Sequence, residues 1–527
     1  MRFTKPRRLD VRSGRRAHPA AFLAALGCFI VLATPALADS ILFKDGRFIE
    51  VPNAQASDTG ITVRYENGTV LVPHELIEEF FILDPSGAFT PRNDEEKAKL
   101  EEGLVPFEGK WIPATRRDKL VADRQEQRQQ RLEEYREHML WRSRYKDSTK
   151  HFNFEYTVPP DVAENYREMF EVFYTHISKE WGMRQSGGKK LKVCFYNNRK
   201  DFERIGNVPT GVLGYFRFVD PIELNFFYER RDERMTLDVL FHEANHYMMF
   251  LYTKKGYTLP PWIEEGLAEY YGASIWDPQK KTLSIGHIQE GRLVRMQDAM
   301  DGGDTQGLLD LMREPSIDAM QYAWAWSLNH MLLEDRKYKS NYRKFVQKMS
   351  RDKLKREPWP RNPNFQWVKP DYAISMFQKM LKIKDLKAFE SQWYEYIRSM
   401  DVKSSRGYYE AGLFCMRWNR PVRATLYFKK ALEMGTDNPS VYEELGKVLS
   451  QRKKYSEAID VLQDGLKIDP LNAHLHMALG TAHIRSGKNK ELGESLQRLA
   501  IEIDPDDNSL LTQVEGFEAL LSGGLGG

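Results

Sequence analysis

The chain has 527 residues, a formal charge of +3 and three cysteines, with 41% hydrophobic and 29% charged residues. That length and composition can supply cores for three or four folded units. The near-balanced charge excludes a basic nucleic-acid binder, and so few cysteines exclude a disulfide scaffold.

Residues 1–38 read as a secretory signal. Arg7, Arg8, Arg12, Arg15 and Arg16 form a basic stretch, an apolar run extends from Ala20 to Ala33, and Ala36-Leu37-Ala38 precedes Asp39. The run is too short and wrongly flanked to span a membrane, and no later segment reaches that length, so no stable membrane insertion is expected. Export places the mature chain in the periplasm or outside the cell. Cleavage there removes seven basic residues and one acidic one and leaves a formal charge of −3.

Residues 39–84 predict a small β module. Ile41 to Phe43 and Arg47 to Val51 flank a Lys44-Asp45-Gly46 turn, while Ile61 to Tyr65 and Thr69 to Val72 flank Asn67-Gly68, residues suited to a tight hairpin. Residues 85–149 read as a linker and a charged helix. Pro, Gly and acidic residues come first, then the short motif Phe107 to Pro113. From Thr115 to Lys146 the segment is rich in Arg, Gln and Glu, with apolar positions too sparse for a buried face.

In residues 150–400, strand-like runs at Leu191 to Tyr196 and Val212 to Phe227 precede a long apolar helix, with Thr236 as its expected N-cap and Gly256 as its end. The helix carries His242-Glu243-Ala244-Asn245-His246. Two His four apart point to one side of a helix, so both imidazoles can reach one Zn²⁺ while Glu243 faces a water beside it. After eighteen intervening residues comes Glu265, in Trp262-Ile263-Glu264-Glu265-Gly266-Leu267-Ala268-Glu269-Tyr270. Two His and one Glu leave a fourth position open, the catalytic arrangement, whereas structural zinc favours closed, Cys-rich sites. Glu269 lies one turn beyond Glu265 and can accept the outer N–H of a ligand His. Glu264 reads as a bystander.

H-E-x-x-H, a gap of eighteen, and then Glu in a W-x-x-E-G-x-A-E-Y segment resembles the gluzincin zinc metallopeptidases, in particular the bacterial "peptidase MA-like" branch. The resemblance implies an α+β fold with a thermolysin-like catalytic domain over 150–400. It implies Zn²⁺ held by His242, His246 and Glu265, Glu243 as general base, and Glu269 as the carboxylate behind a ligand His. Family members supply an oxyanion donor from a later helix, which points to Tyr322, with His330 in reserve. Tyr322, Trp326 and His330 share one helix face, so core packing competes with that role. The resemblance also places the substrate-pairing edge strand at Gly214, Tyr215 and Phe216. Arg217 stands where related aminopeptidases carry an amine-binding Glu, so cleavage within a peptide or protein substrate is expected.

Beyond Ser405 the sequence repeats. Gly412, Gly446 and Gly480 are 34 apart, Ala424 and Ala458 share that spacing, and Pro439, Pro470 and Pro505 punctuate the ends. The period looks like tetratricopeptide repeats at 405–438, 439–472 and 473–506, with a capping helix at 507–522, forming an α-solenoid over 405–522 open to a protein partner. Asp401 to Ser405 offers a loop-like break, so the tail is expected to be separable. The rival to an exported peptidase is a non-catalytic repeat-based binding or assembly protein on a retired metallopeptidase scaffold. Retention of Glu243 argues against retirement.

Overall fold

The computed structural model describes residues 39–514 except 45–46, 82–90, 92, 108–109, 121–122, 124–136, 184–189, 210–211, 230–231, 506, 508 and 512. The secretory signal at 1–38 lies outside the described residues, as do the middle of the charged helix and most of the capping segment at 507–522. Among the described residues no helix is long and apolar enough to cross a membrane.

The N-terminal module has six strands in two three-stranded antiparallel sheets. Asp39–Phe43 lies between Phe48–Val51 and Ile77–Phe81, and Gly60–Arg64 lies between Ala54–Ser57 and Thr69–Pro73. Ala54–Ser57 and Ile77–Phe81 went unread in the sequence. The first is mostly exposed and owes its strand form to pairing with Gly60–Arg64. Ile41, Val51, Ile61, Val63 and Val72 form the module's core, which is completed by Leu471 and Leu499 from the far end of the chain.

A five-stranded mixed sheet dominates the central region, in the order Gly214–Arg217, Glu223–Phe227, Leu191–Tyr196, Phe152–Tyr156 and Tyr145–Ser148. The inner three strands are parallel and both edges antiparallel. The helices Pro160–Glu180 and Arg199–Gly206 make the crossovers. Inner strands covered on both faces need apolar residues at nearly every position, as in Leu191-Lys192-Val193-Cys194-Phe195-Tyr196.

The edge strand Tyr145–Ser148 corrects two expectations, because the charged helix does not run to Lys146 and the sheet domain begins before residue 150. Tertiary partners override the local polarity here. Arg144 pairs with Glu155 at 2.6 Å, Tyr145 stacks on Tyr156 with ring centres 5.2 Å apart, and Trp141 stacks on Tyr196 at 4.4 Å.

Eight helices follow the sheet: Glu233–Tyr252, Pro261–Gly272, Glu290–Asp301, Leu308–Arg313, Ala319–Glu334, Lys339–Arg351, Pro370–Leu381 and Leu386–Ser399. They share one core with the sheet, running from Phe152, Phe170 and Phe226 through Phe241 and Trp262 to Phe377 and Trp393. Each such side chain contributes about 1.5–3 kcal/mol by leaving water. The Pro-containing stretch near Trp359 is a hairpin of Arg356–Trp359 with Asn362–Val368.

The C-terminal region is a solenoid-like stack of three helical hairpins: Ser405–Arg417 with Pro421–Glu433, Pro439–Gln451 with Tyr455–Ile468, and Ala473–Ser486 with Lys490–Ile503. The glycines at 34-residue spacing mark where the two helices of each hairpin touch. A Cβ on Gly412 would lie 2.4 Å from the Phe428 ring, one on Gly446 2.4 Å from Leu462, and one on Gly480 2.6 Å from the Gly493 carbonyl oxygen. The first hairpin also packs on Glu290–Asp301, so the tail is not a free appendage.

Candidate metal centre and cleft

The helix Glu233–Tyr252 begins at Asp232, whose carboxylate accepts from the Met235 N–H at 3.1 Å. Thr236, the expected N-cap, is buried one turn inside, where its hydroxyl accepts from the Glu229 N–H at 2.8 Å. The helix ends at Thr253, and Gly256 falls in the following turn with φ of +81°. A Pro pair then starts Pro261–Gly272, with Pro261 at a helical position that needs no N–H.

His242, His246 and Glu265 converge. The two Nε2 atoms are 3.1 Å apart, and they lie 3.5 and 3.4 Å from Glu265 Oε2. That oxygen is buried and has no hydrogen-bond partner. Tetrahedral zinc with bonds of about 2.1 Å places neighbouring ligand atoms about 3.4 Å apart. The triangle therefore has the dimensions of three zinc ligands, and a cation would satisfy the orphaned carboxylate oxygen. Among the described residues this is the one His, Cys, Asp and Glu group with such a spacing.

The outer imidazole nitrogens face carboxylates. His242 Nδ1 lies 3.3 Å from Glu269 Oε1, and His246 Nδ1 lies 4.0 Å from Glu264 Oε1. Glu264, read as a bystander, instead sits behind His246, with its other oxygen accepting from the Thr258 hydroxyl at 3.1 Å. Glu269 is only 3% exposed. It is held by an ion pair with Arg292 and by Gln289, whose amide donates to Glu269 Oε2 at 2.9 Å and to its backbone carbonyl at 2.6 Å.

Burial alone would lower the His242 pKa, but Glu265 and Glu269 outweigh it and raise it well above the usual value. Burial likewise opposes ionisation of Glu265, yet His246 and His242 hold its carboxyl far below the ordinary range. The pocket thus concentrates negative charge around two imidazoles, the electrostatics of a cation site.

These residues open into a cleft of about 620 Å³ whose lining includes Tyr215, Phe216, Glu243, Tyr322, Trp359 and Phe365. Glu243 stands beside the two His. Gly214 lets the edge strand rest on the metal-site helix, since a Cβ there would lie 2.5 Å from Val239 Cγ1 and 3.2 Å from Glu243 Cγ. Arg217 is turned aside by an ion pair with Glu223 and by donation to the Pro221 carbonyl at 3.1 Å.

Tyr322 lies in the first turn of Ala319–Glu334, which starts in an Asp318/Gln321 capping box. Its ring stands edge-on to His242, with centres 6.3 Å apart. Burial and then the carboxylates of Glu265, Glu269 and Glu243 push its pKa up, so the phenol keeps its proton and can donate. His330, the reserve candidate, is withdrawn. It is 5% exposed, with Nδ1 2.6 Å from the Tyr396 hydroxyl and Nε2 3.2 Å from the Gly286 carbonyl oxygen. Both ring nitrogens are engaged in the core, two turns below the cleft.

Arg292 and Gln289 were not legible in the sequence, because neither belongs to a motif and they reach Glu269 from another helix and its N-cap. The Pro-rich stretch around Trp359 and Pro363, visible in the sequence as an interruption of the helices without a defined place, is the hairpin at 356–368. Trp359, Arg361 and Phe365 line the cleft, the Trp359 indole N–H donates to the Pro315 carbonyl at 3.0 Å, and Phe365 meets Phe218 edge-on at 5.1 Å.

A family described as "Protein of unknown function (DUF1570)" matches residues 237–354, a span that contains His242, Glu243, His246, Glu265, Glu269 and Tyr322. No curated protein matches the chain. Among solved structures the chain is similar to the crystal structure of MamA, at 18% identity over 26% of this chain and 91% of that one, with a TM-score of 0.20. It is also similar to YrrB, described as a TPR protein with an unusual peptide-binding site, at 15% identity over 42% of this chain and 97% of that one, with a TM-score of 0.23.

Proposed function

We propose that the protein is an exported zinc-dependent peptidase that cuts within polypeptide chains, its repeats serving to engage a protein substrate or partner. The observation that carries this reading is the orphaned Glu265 Oε2 standing 3.4–3.5 Å from two imidazole nitrogens in a cleft that also holds Glu243 and Tyr322. His242, His246 and Glu265 would hold the zinc, which when bound supplies Lewis-acid polarisation of a carbonyl and acidification of a water.

The chain's own groups do the rest. Glu243 takes the proton of the attacking water and passes it to the leaving amine. Tyr322 donates its phenolic proton toward the oxyanion. Glu269 accepts from the His242 Nδ1–H and so fixes the tautomer whose Nε2 is free to ligate. An extended substrate would pair with the backbone of the edge strand Gly214–Arg217, whose outer side has no strand neighbour among the described residues. The carboxylates lining the cleft among the described residues are Glu243, Glu264 and Glu265, all beside the metal site, and the same lining carries the cations Lys254, Lys255 and Arg361.

Zinc content and digestion of a peptide library, wild type beside Glu243→Gln, test the reading. The expected result is about one zinc per chain in both proteins and cleavage by the wild type alone. Absence of zinc from the wild type, or equal cleavage by the variant, would overturn it. Loss of zinc from His246→Ala and Glu265→Ala assigns the ligands.

A further inference from the structure

The helix Glu290–Asp301 stands between the metal site and the repeats, and each of its sides holds one of them. On the site side, Arg292 pairs with Glu269 and its Nε donates to Gln289 Oε1 at 3.1 Å, while Gln289 donates to Glu269 at 2.9 Å. On the other side, Glu290 accepts from the backbone N–H groups of Lys403 and Ser404, both at 3.0 Å. Asp298 accepts from the Tyr427 hydroxyl at 2.6 Å and pairs with Arg423 at 2.9 Å. The Arg295 guanidinium lies 3.8 Å over the Phe414 ring. A Cβ on Gly291 would come within 2.6 Å of Glu410, and one on Gly407 within 2.7 Å of Glu290, so the helices meet at backbone distance.

We propose that Arg292 and Gln289 are positioning residues for the metal ligand His242, and that docking of the first repeat on Glu290–Asp301 sets where they stand, which links the seating of the repeats to metal affinity. The inference rests on the zinc reading above. Its physical ground is the burial of Glu269. A carboxylate 3% exposed needs partners on its oxygens to hold one orientation. Arg292 and Gln289 are those groups, and His242 Nδ1 is what Glu269 then orients. Loss of the groups that orient a ligand His weakens metal binding about 10- to 100-fold. Because Arg292 sits on the helix the repeats clamp and Gln289 caps it, a shift of the first hairpin reaches His242 through that helix and then Glu269.

The test uses the full-length protein, with zinc affinity read by competition against a chromophoric chelator and kcat and KM read separately on a cleavable peptide. Arg292→Leu and Gln289→Leu should weaken zinc at least ten-fold with KM nearly unchanged. Arg292→Lys should recover part of the Arg292→Leu loss and covers the case in which the leucine variant does not fold. Tyr427→Phe combined with Arg423→Ala, both outside the site, should weaken zinc at least three-fold. Zinc affinity within two-fold of wild type in the folded Arg292 and Gln289 variants would overturn the positioning roles. Unchanged affinity in the Tyr427/Arg423 variant would overturn the link to the repeats. A wild type that takes up no zinc would instead remove the peptidase reading itself, so the two failures are distinct.

Discussion

Arg47 and Asp469, 422 residues apart in the chain, meet with Nη1 3.1 and 3.0 Å from the two carboxylate oxygens. Around them the N-terminal β module sits on the last repeat, with Ser495 donating to the Asn67 carbonyl at 2.6 Å and Leu499 buried in the module's core. The first described segment and the last repeat hairpin thus cover each other.

The apolar part of this contact should dominate its energy. Leu499 is 3% exposed, so Leu499→Ala should cost about 2–5 kcal/mol. Arg47→Ala should cost less than about 1 kcal/mol, because Arg47 is 41% exposed and the pair is screened. Thermal unfolding with limited proteolysis checks both, and early release of the β module in the Leu499 variant is the expected result. Equal, small effects would mean that the module does not rely on the repeat.

Tyr322 and His330 share a helix face but should respond differently. Tyr322→Phe should lower kcat about 10²- to 10³-fold while zinc content and KM hold, the size of effect found when an oxyanion donor is removed. His330→Ala should instead cost about 1–3 kcal/mol of stability by stranding the half-buried Tyr396 hydroxyl, with kcat of the folded protein preserved. Steady-state kinetics beside melting curves would show the reverse pattern if His330 were the donor.

Trp359 anchors the hairpin that forms one wall of the cleft, through its bond to the Pro315 carbonyl at 3.0 Å. Trp359→Ala removes that bond and an aromatic lining residue together. The expected outcome is a several-fold rise in KM for long peptides with zinc content unchanged. An unchanged KM would mean that substrate does not touch this wall.

Cleavage mode follows from where charge lies. An exopeptidase must pair the charged terminus of its substrate, since an unpaired ammonium in a partly dry cleft is costly. Arg217 is bound to Glu223 rather than replaced by a carboxylate facing the cleft. Acetylating the amino terminus of a cleavable peptide should therefore change its hydrolysis rate by less than a few-fold, below the ~1.4 kcal/mol that a tenfold effect requires. Activity abolished by acetylation would show exopeptidase action and leave the zinc chemistry standing.

What was legible in the sequence was set by local geometry. The helical repeat of about 3.6 residues puts His242 and His246 on one side whatever surrounds them, and a turn of helix separates Glu269 from Glu265 in the same way. The 34-residue glycine spacing was readable for a related reason, because each hairpin needs a small residue where its own two helices touch, as at Gly412 beside Phe428. Tertiary structure alone decided the rest. Tyr145–Ser148 is polar enough to read as helix and becomes a strand only because Phe152–Tyr156 offers it a free edge. Glu264 faces His246, and His330 falls below the cleft, through packing between separate helices rather than spacing along one. Arg292 reaches Glu269 from 23 residues away, and Leu499 enters a core built from residues 41–77. Such contacts depend on where whole elements dock, and the free energy of docking comes from surfaces assembled out of distant parts of the chain, which no short stretch of sequence contains.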